Sequence, residues 1–173
     1  MTSQPANPQI IIPAEQVQKR VKELARQISH DYAGKTVHVL GVLENSFIFL
    51  SDLVRAMDVS VVCQFIKPQY RDDLGDIMEI FFSHDLAIAD QNVLLVEGIL
   101  HSGVTTEFLM NDLRARGAAT VKVMALLDRQ SARRVPLQPH YFGFLVDSTF
   151  LMGYGLGSRE QTYRNLPYLA AAK

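Results

Sequence analysis

Val93-Leu94-Leu95-Val96-Glu97-Gly98-Ile99-Leu100-His101-Ser102-Gly103-Val104-Thr105-Thr106 is the stretch that decides the fold. Its first four residues are an unbroken apolar run, the pattern of a strand buried on both faces. Ser102, Gly103, Thr105 and Thr106 then form a turn, and Thr105 to Arg116 reads as a helix stopped by Gly117. A strand feeding such a turn and then a helix makes an anion site. The first-turn N–H groups of a helix have no intrahelical partner, and the helix dipole puts positive potential there. Ser and Thr hydroxyls add donors, and Gly103 lets backbone approach a ligand closely. Spacing alone is equally compatible with ordinary N-capping.

Outward from this stretch, apolar runs alternate with helical patterns. Towards the N-terminus, Val37 to Leu43 reads as a strand, Phe47 to Val54 as a helix, and Val59 to Phe65 as a second strand, with Cys63 expected to be a buried, inert thiol. Earlier still, Val17, Val21, Leu24, Ala25 and Ile28 recur at helical spacing, and Gly34 ends that helix. Residues 1 to about 13 form an extended arm. Towards the C-terminus, Val121 to Leu127 and Tyr141 to Val146 are two further strands. Such alternation predicts an α/β fold: an open, twisted, mainly parallel sheet flanked by helices, in one domain spanning 1–173. Ligands in such sheets sit beyond the carboxyl ends of the strands, after Leu43, Val96 and Leu127.

Composition narrows the function. Seventeen Lys and Arg against eighteen Asp and Glu give a formal charge of -1, which supplies no electrostatic case for nucleic acid. One cysteine in 173 residues excludes an internal disulfide and a multi-cysteine zinc cluster. No apolar stretch is long enough to span a membrane, and the N-terminus lacks a signal-peptide pattern, so a soluble cytoplasmic protein is expected. His30, His38, His84 and His140 have no partners at metal-ligand spacing.

Four blocks, in order, resemble the hypoxanthine/guanine phosphoribosyltransferases. Residues 93–106 are similar to the phosphoribosyl-pyrophosphate (PRPP) signature V-L-I-V-E-D-I-I-D-T-G-x-T. Val42 to Leu53 is similar to V-L-K-G-S-F-x-F-x-x-D-L. Leu126-Leu127-Asp128-Arg129 through Arg133-Arg134 is similar to L-L-D-K-x-x-x-R-R. Phe150 to Leu156, closing with Tyr163 to Tyr168, is similar to the tail F-V-V-G-Y-G-L-D-Y-x-x-x-Y-R-N-L-P-Y. The resemblance implies a type I phosphoribosyltransferase fold with a small hood from the chain termini, and a homo-oligomer, dimer or tetramer. Its ligands would be a purine, a purine nucleotide or PRPP. Ser102, Gly103, Val104 and Thr105 would hold the 5′-phosphate, and Glu97 would face the ribose hydroxyls. Phe150 would stack on the purine, Leu151 would offer backbone groups to its edge, and Arg129 would take the place of the lysine that reads the 6-oxo group. Glu44 and Asn45 lie in the pyrophosphate loop, with Arg133 and Arg164 facing pyrophosphate. Tyr70 matches the tyrosine of a flexible loop, spanning Lys67 to Asp76, that closes over the reacting centre.

The departures from the family pattern are concentrated at charged positions. Gly98 replaces the second ribose acid, and His101 replaces the acid that serves as proton partner of the purine N7. Glu44 replaces a lysine, and Gly157 replaces an aspartate that helps hold magnesium. Magnesium is expected from the resemblance, yet two acids associated with ribose and metal are missing, and neither Asp128 nor Asp147 is assigned as a ligand. His101 can still exchange a proton near neutral pH. Two readings follow: a purine phosphoribosyltransferase with impaired or altered catalysis, or a non-catalytic nucleotide-binding regulator. Restoring the lost charges, Gly98→Asp among them, is expected to raise turnover under the first.

Overall fold

The computed structural model describes residues 8–71, 77–82, 87–147, 150–158, 160 and 162–171. The chain runs β1 (Ile10–Ile12), α1 (Ala14–Asp31), β2 (Thr36–Val42), α2 (Phe47–Ala56), β3 (Ser60–Arg71), β4 (Ile77–Phe82), β5 (Asn92–Leu100), α3 (Val104–Ala115), β6 (Thr120–Asp128), a 3₁₀ turn (Gln130–Ala132), β7 (Tyr141–Leu145), β8 (Leu151–Met152) and β9 (Leu169–Ala171). The main sheet has the order β4-β3-β2-β5-β6-β7. Five of its strands are parallel, and β4 pairs antiparallel with β3 at the edge. The open α/β sheet read from the sequence is therefore what the chain adopts. The hood is a second sheet, β1-β9-β8, in which the N-terminal arm pairs with the C-terminal tail.

Period-two alternation explains why helices cover both faces. On β5, Leu94 and Val96 join a core with α1 and α2, whereas Val93 and Leu95 join a second core with Leu109, Met110 and Leu113 of α3. All four strand residues are fully buried.

Two expectations change. Cys63 is exposed, as is its neighbour Val62, because β3 lies towards the edge of the sheet. Partial burial still pushes the thiol pKa up, so Cys63 stays protonated and unreactive at neutral pH. The second concerns Lys67 to Arg71, read as the start of a loop. These residues continue β3, with Lys67 opposite Phe81 and Tyr70 opposite Met78. Residues 72–76 and the side chain of Tyr70 lie outside the described residues.

One polar cluster ties the tail to the helices. The Tyr154 hydroxyl donates to Asp52 Oδ2, which also accepts from Gln18 Nε2 at 2.9 Å, while Arg55 pairs with the other carboxylate oxygen. These bonds hold the Asp52 carboxyl below its ordinary pKa against the opposing effect of burial, and the burial of Tyr154 pushes its hydroxyl strongly up. Tyr154 is only 2% exposed, so its donor has no easy exchange for water. Tyr154→Phe should therefore lower the unfolding free energy by about 1.5–3 kcal/mol, the usual worth of a hydrogen bond to a charged group, as read from urea denaturation.

Candidate active site

The turn after β5 is built around Gly103. It sits at φ +81°, and a Cβ there would lie 2.9 Å from Val135 Cγ2. Glycine alone accepts this left-handed backbone without strain or collision. The residue caps α3, whose first bond runs from Glu107 N–H to the Gly103 carbonyl at 2.8 Å. Ser102 Oγ accepts weakly from Val104 N–H at 3.4 Å, and the Ser102 carbonyl accepts from Arg134 N–H at 2.9 Å. Ser102, Gly103, Val104 and Thr105 thus form a helix-capping turn with α3 behind it, an arrangement suited to a phosphate group.

Arg133 braces this turn from beneath. Its guanidinium pairs with Asp128, which is 1% exposed, and donates to the His101 carbonyl at 2.8 Å. Gln130 Nε2 supplies Asp128 Oδ2 at 3.2 Å. In this arrangement Arg133 is engaged by two protein groups, the Asp128 carboxylate and the His101 carbonyl.

The strand carries the motif further than the sequence reading placed it. β5 continues through Leu100 because β6 continues beside it to Asp128. Glu97 is therefore a strand residue on the α3 face, and its Oε1 accepts from Thr106 Oγ1 at 2.7 Å. Desolvation of the carboxyl pushes its pKa up to about 7, with the Thr106 bond opposing. Thr106, 3% exposed, was read only as a phosphate-side hydroxyl; its structural work is to hold Glu97.

Gly98, next along, points the other way. A Cβ there would lie 2.3 Å from the Asn45 carbonyl oxygen. The 43–46 turn fills the space an acid would need. Ser46, fully buried, pins that turn by donating to the Val42 carbonyl at 2.7 Å, and the Leu43–Glu44 peptide bond within it is cis.

His101 is exposed at the end of β5. Partial desolvation first, and then the charges of Arg129, Arg134 and Arg133, lower its pKa, so it is neutral at physiological pH. Arg129 donates its backbone N–H to the Leu100 carbonyl at 3.0 Å, and its buried Nε meets no acceptor among the described residues. Phe150 is 42% exposed, leaving a ring surface open to stacking, and Leu151 is buried in β8. Glu44 pairs with Lys67 at 3.1 Å and with Arg164 at 3.6 Å, and Arg164 donates to Asn45 Oδ1 at 2.8 Å. The charge reversal at 44 is therefore compensated by two cations, which hold the Glu44 carboxyl below its ordinary pKa.

No cluster of three or more His, Cys, Asp or Glu side chains suited to a metal exists among the described residues. Of the positions at which the family places acids, 98 is closed by the Asn45 carbonyl, 97 is tied to Thr106 and 157 is glycine. These protein groups do not fit a magnesium ion.

Two measurements check this geometry. Folding takes up a proton at Glu97, so its contribution to stability is intact below its ordinary value of 4.5 and is lost as pH rises through about 7. Glu97→Gln keeps an acceptor for Thr106 without the ionisation. The stability of the natural protein relative to Glu97→Gln should therefore fall by about 3 kcal/mol between those limits. Taking the difference removes the opposite trend of His101. Gly98→Asp, which restores the family acid, should instead destabilise the protein by about 1–3 kcal/mol, because the Asn45 backbone must move. Thermal melts of the variant would show this.

Comparison with known proteins places the chain. The profile of the phosphoribosyl transferase domain matches residues 11–159. Hypoxanthine-guanine phosphoribosyltransferase of Bacillus subtilis is 32% identical over 167 residues, covering 95% of this chain and 92% of the relative. The bifunctional protein TilS/HprT of Listeria innocua is equally similar, but the chain spans only 26% of its length. A crystal structure of a hypoxanthine-guanine phosphoribosyltransferase from Bacillus anthracis, holding a HEPES molecule in its active site, superposes with a TM-score of 0.88 at 35% identity, covering 95% of this chain and 98% of that one. A hypoxanthine phosphoribosyltransferase from Staphylococcus aureus gives the same score at 30% identity, covering 95% and 92%. With the family profile matching residues 11–159, a 32% identical relative covered to 92% and a superposition at a TM-score of 0.88, the chain belongs to the hypoxanthine-guanine branch of the type I phosphoribosyltransferase family.

Proposed function

We propose that the chain transfers ribose 5-phosphate from PRPP to a 6-oxopurine, giving a purine nucleoside monophosphate and pyrophosphate, with His101 as proton partner. The observation that carries this is the position of His101, directly after β5 and one residue before the Ser102–Thr105 turn, where partial desolvation and the charges of Arg129, Arg134 and Arg133 lower its pKa. Purine N9 attacks C1′ of the ribose. The C1′–O bond breaks and its electron pair leaves on pyrophosphate. The proton on N7 passes to the free lone pair of His101, which the neutral ring offers. Arg129 donates to the 6-oxo group, satisfying an Nε that otherwise lacks an acceptor. Phe150 stacks on the base, and the turn from Ser102 to Thr105 receives the 5′-phosphate. Magnesium, expected of the family, finds no fitting set of protein ligands, and no step is assigned to it.

A second reading has its own support. Glu44 already holds Lys67 and Arg164, and the Asn45 carbonyl closes the place of the ribose acid, which favours a protein that binds the nucleotide product without forming it.

An assay of PRPP with hypoxanthine or guanine, alongside calorimetry with inosine or guanosine monophosphate, separates the two. Under the first, His101→Gln should lower kcat by about 10²- to 10⁴-fold and remove the acid limb of the pH–rate profile. That limb lies below the ordinary histidine value of 6.5 because the pKa is lowered. Monophosphate binding with no product from the natural protein would establish the second reading. Absence of any nucleotide binding would sink both.

A further inference from the structure

β7 is the last strand of the main sheet and pairs with β6 on one side only. On that side the flanking N–H groups of His140 and Val146 donate to the Val123 and Asp128 carbonyls at 2.8 and 3.0 Å. Strand periodicity then turns the backbone groups of Tyr141, Gly143 and Leu145 away from β6, to the outer edge. Such an edge is a template for another strand. Apolar surface lies beside it. Leu145 is 59% exposed, more than any other large apolar side chain among the described residues. Ile10 and Ile11 of the hood are exposed as well, and Ile11 lines one cavity with Phe144 and Leu145.

One side chain stands across this edge. Arg20, on α1, reaches Gly143, the middle residue of β7. Its Nε donates to the Gly143 carbonyl at 3.0 Å, and its Nη2 donates to the Phe142 carbonyl at 2.9 Å. The third nitrogen, Nη1, donates to Glu23 Oε2 at 3.1 Å. All three guanidinium nitrogens are engaged, so the planar fork is held in one orientation.

We propose that Arg20 is an edge guard: it occupies the middle of the outer edge of β7 and keeps that edge from pairing antiparallel with β7 of a second copy of this chain. The strand itself indicates the occupant. A two-fold axis at Gly143 sets the edge against its own copy, with Leu145 of each strand opposite Tyr141 of the other, so each exposed Leu145 gains a cross-strand neighbour. Arg20 lies at the centre of that contact. Pairing would cost both of its carbonyl bonds in each copy and bring two guanidinium charges together. None of these residues takes part in the chemistry proposed above.

Sedimentation velocity on the full chain, over a wide range of concentration, tests the proposal, with thermal melts to confirm folding. Arg20→Met keeps an apolar stem and removes the donors. It should self-associate at about tenfold lower concentration than the natural protein, adding a species of twice its mass. Hydrogen exchange should show the Gly143 and Leu145 amides protected in that species. Leu145→Lys puts a charge beside the edge at an exposed position. It should leave the mass of the natural protein unchanged and return Arg20→Met to it. Arg20→Lys keeps the charge and a long stem but lacks the fork that holds two carbonyls, so it should fall between, and it carries the test if Arg20→Met does not fold. A folded Arg20 variant that keeps the mass of the natural protein throughout overturns the proposal. Association that survives Leu145→Lys also overturns it, because it would run through another surface. So does a loss of mass in Leu145→Lys alone, since β7 would then already be an interface in the natural protein.

Discussion

The carboxylate of Asp128 is buried at the end of β6, and the guanidinium of Arg133, itself only 12% exposed, is its ionic partner. Removing either partner would strand a buried charge, at a cost of about 3–5 kcal/mol. The same guanidinium donates to the His101 carbonyl, and its stem lies 3.1 Å from where a Gly103 Cβ would be. The pair thus fixes the end of β6 to the turn after β5. It holds the His101 backbone and, with Val135, leaves no room for a side chain at 103. With the turn held, the first turn of α3 faces outward and Thr106 falls where it can donate to Glu97.

The departures from the family pattern are linked to one another rather than scattered. Glycine at 98 permits the Asn45 carbonyl to approach, which sets the 43–46 turn. That turn presents Asn45 Oδ1 to Arg164 and brings Glu44 within reach of both Arg164 and Lys67. A lysine at 44 would lose both ion pairs, and an acid at 98 would displace the Asn45 carbonyl. Within this chain the residues at 44, 45, 98 and 164 are therefore coupled, and changing one alters the surroundings of the others.

Much of the fold could be read from apolar runs because burial on both faces leaves a continuous signal, as in Val93 to Val96, and because Gly34 and Gly117 mark helix ends at φ +73° and +86°. The phosphate turn was legible for the same reason: its residue types are demanded locally. What escaped depends on pairing across the sequence. Lys67 to Arg71 looks like a polar loop because its strand partner, β4, is supplied by residues further on, and edge pairing leaves little hydrophobic imprint. Cys63 sits in an apolar run, but its burial depends on which strand lies at the edge. Arg133 carried a hidden signal: an arginine five residues after a strand-end aspartate can turn back to pair with it.

Burial and neighbouring charge push the two titrating groups at this strand end towards their neutral forms. Desolvation raises the Glu97 carboxyl to about 7, and desolvation with three guanidinium groups lowers His101. Both lose charge for the same reason, that an ion is poorly solvated there, although one does so by gaining a proton and the other by giving one up. The positive character of the site comes from Arg129, Arg134, the first turn of α3 and Arg133, whose charge Asp128 partly offsets. Under the proposed function, a phosphate-bearing ligand would be attracted by guanidinium groups and backbone dipoles, and proton exchange would fall to the His101 imidazole. The acids at which the family would gather a metal ion are the groups this arrangement has replaced or enclosed.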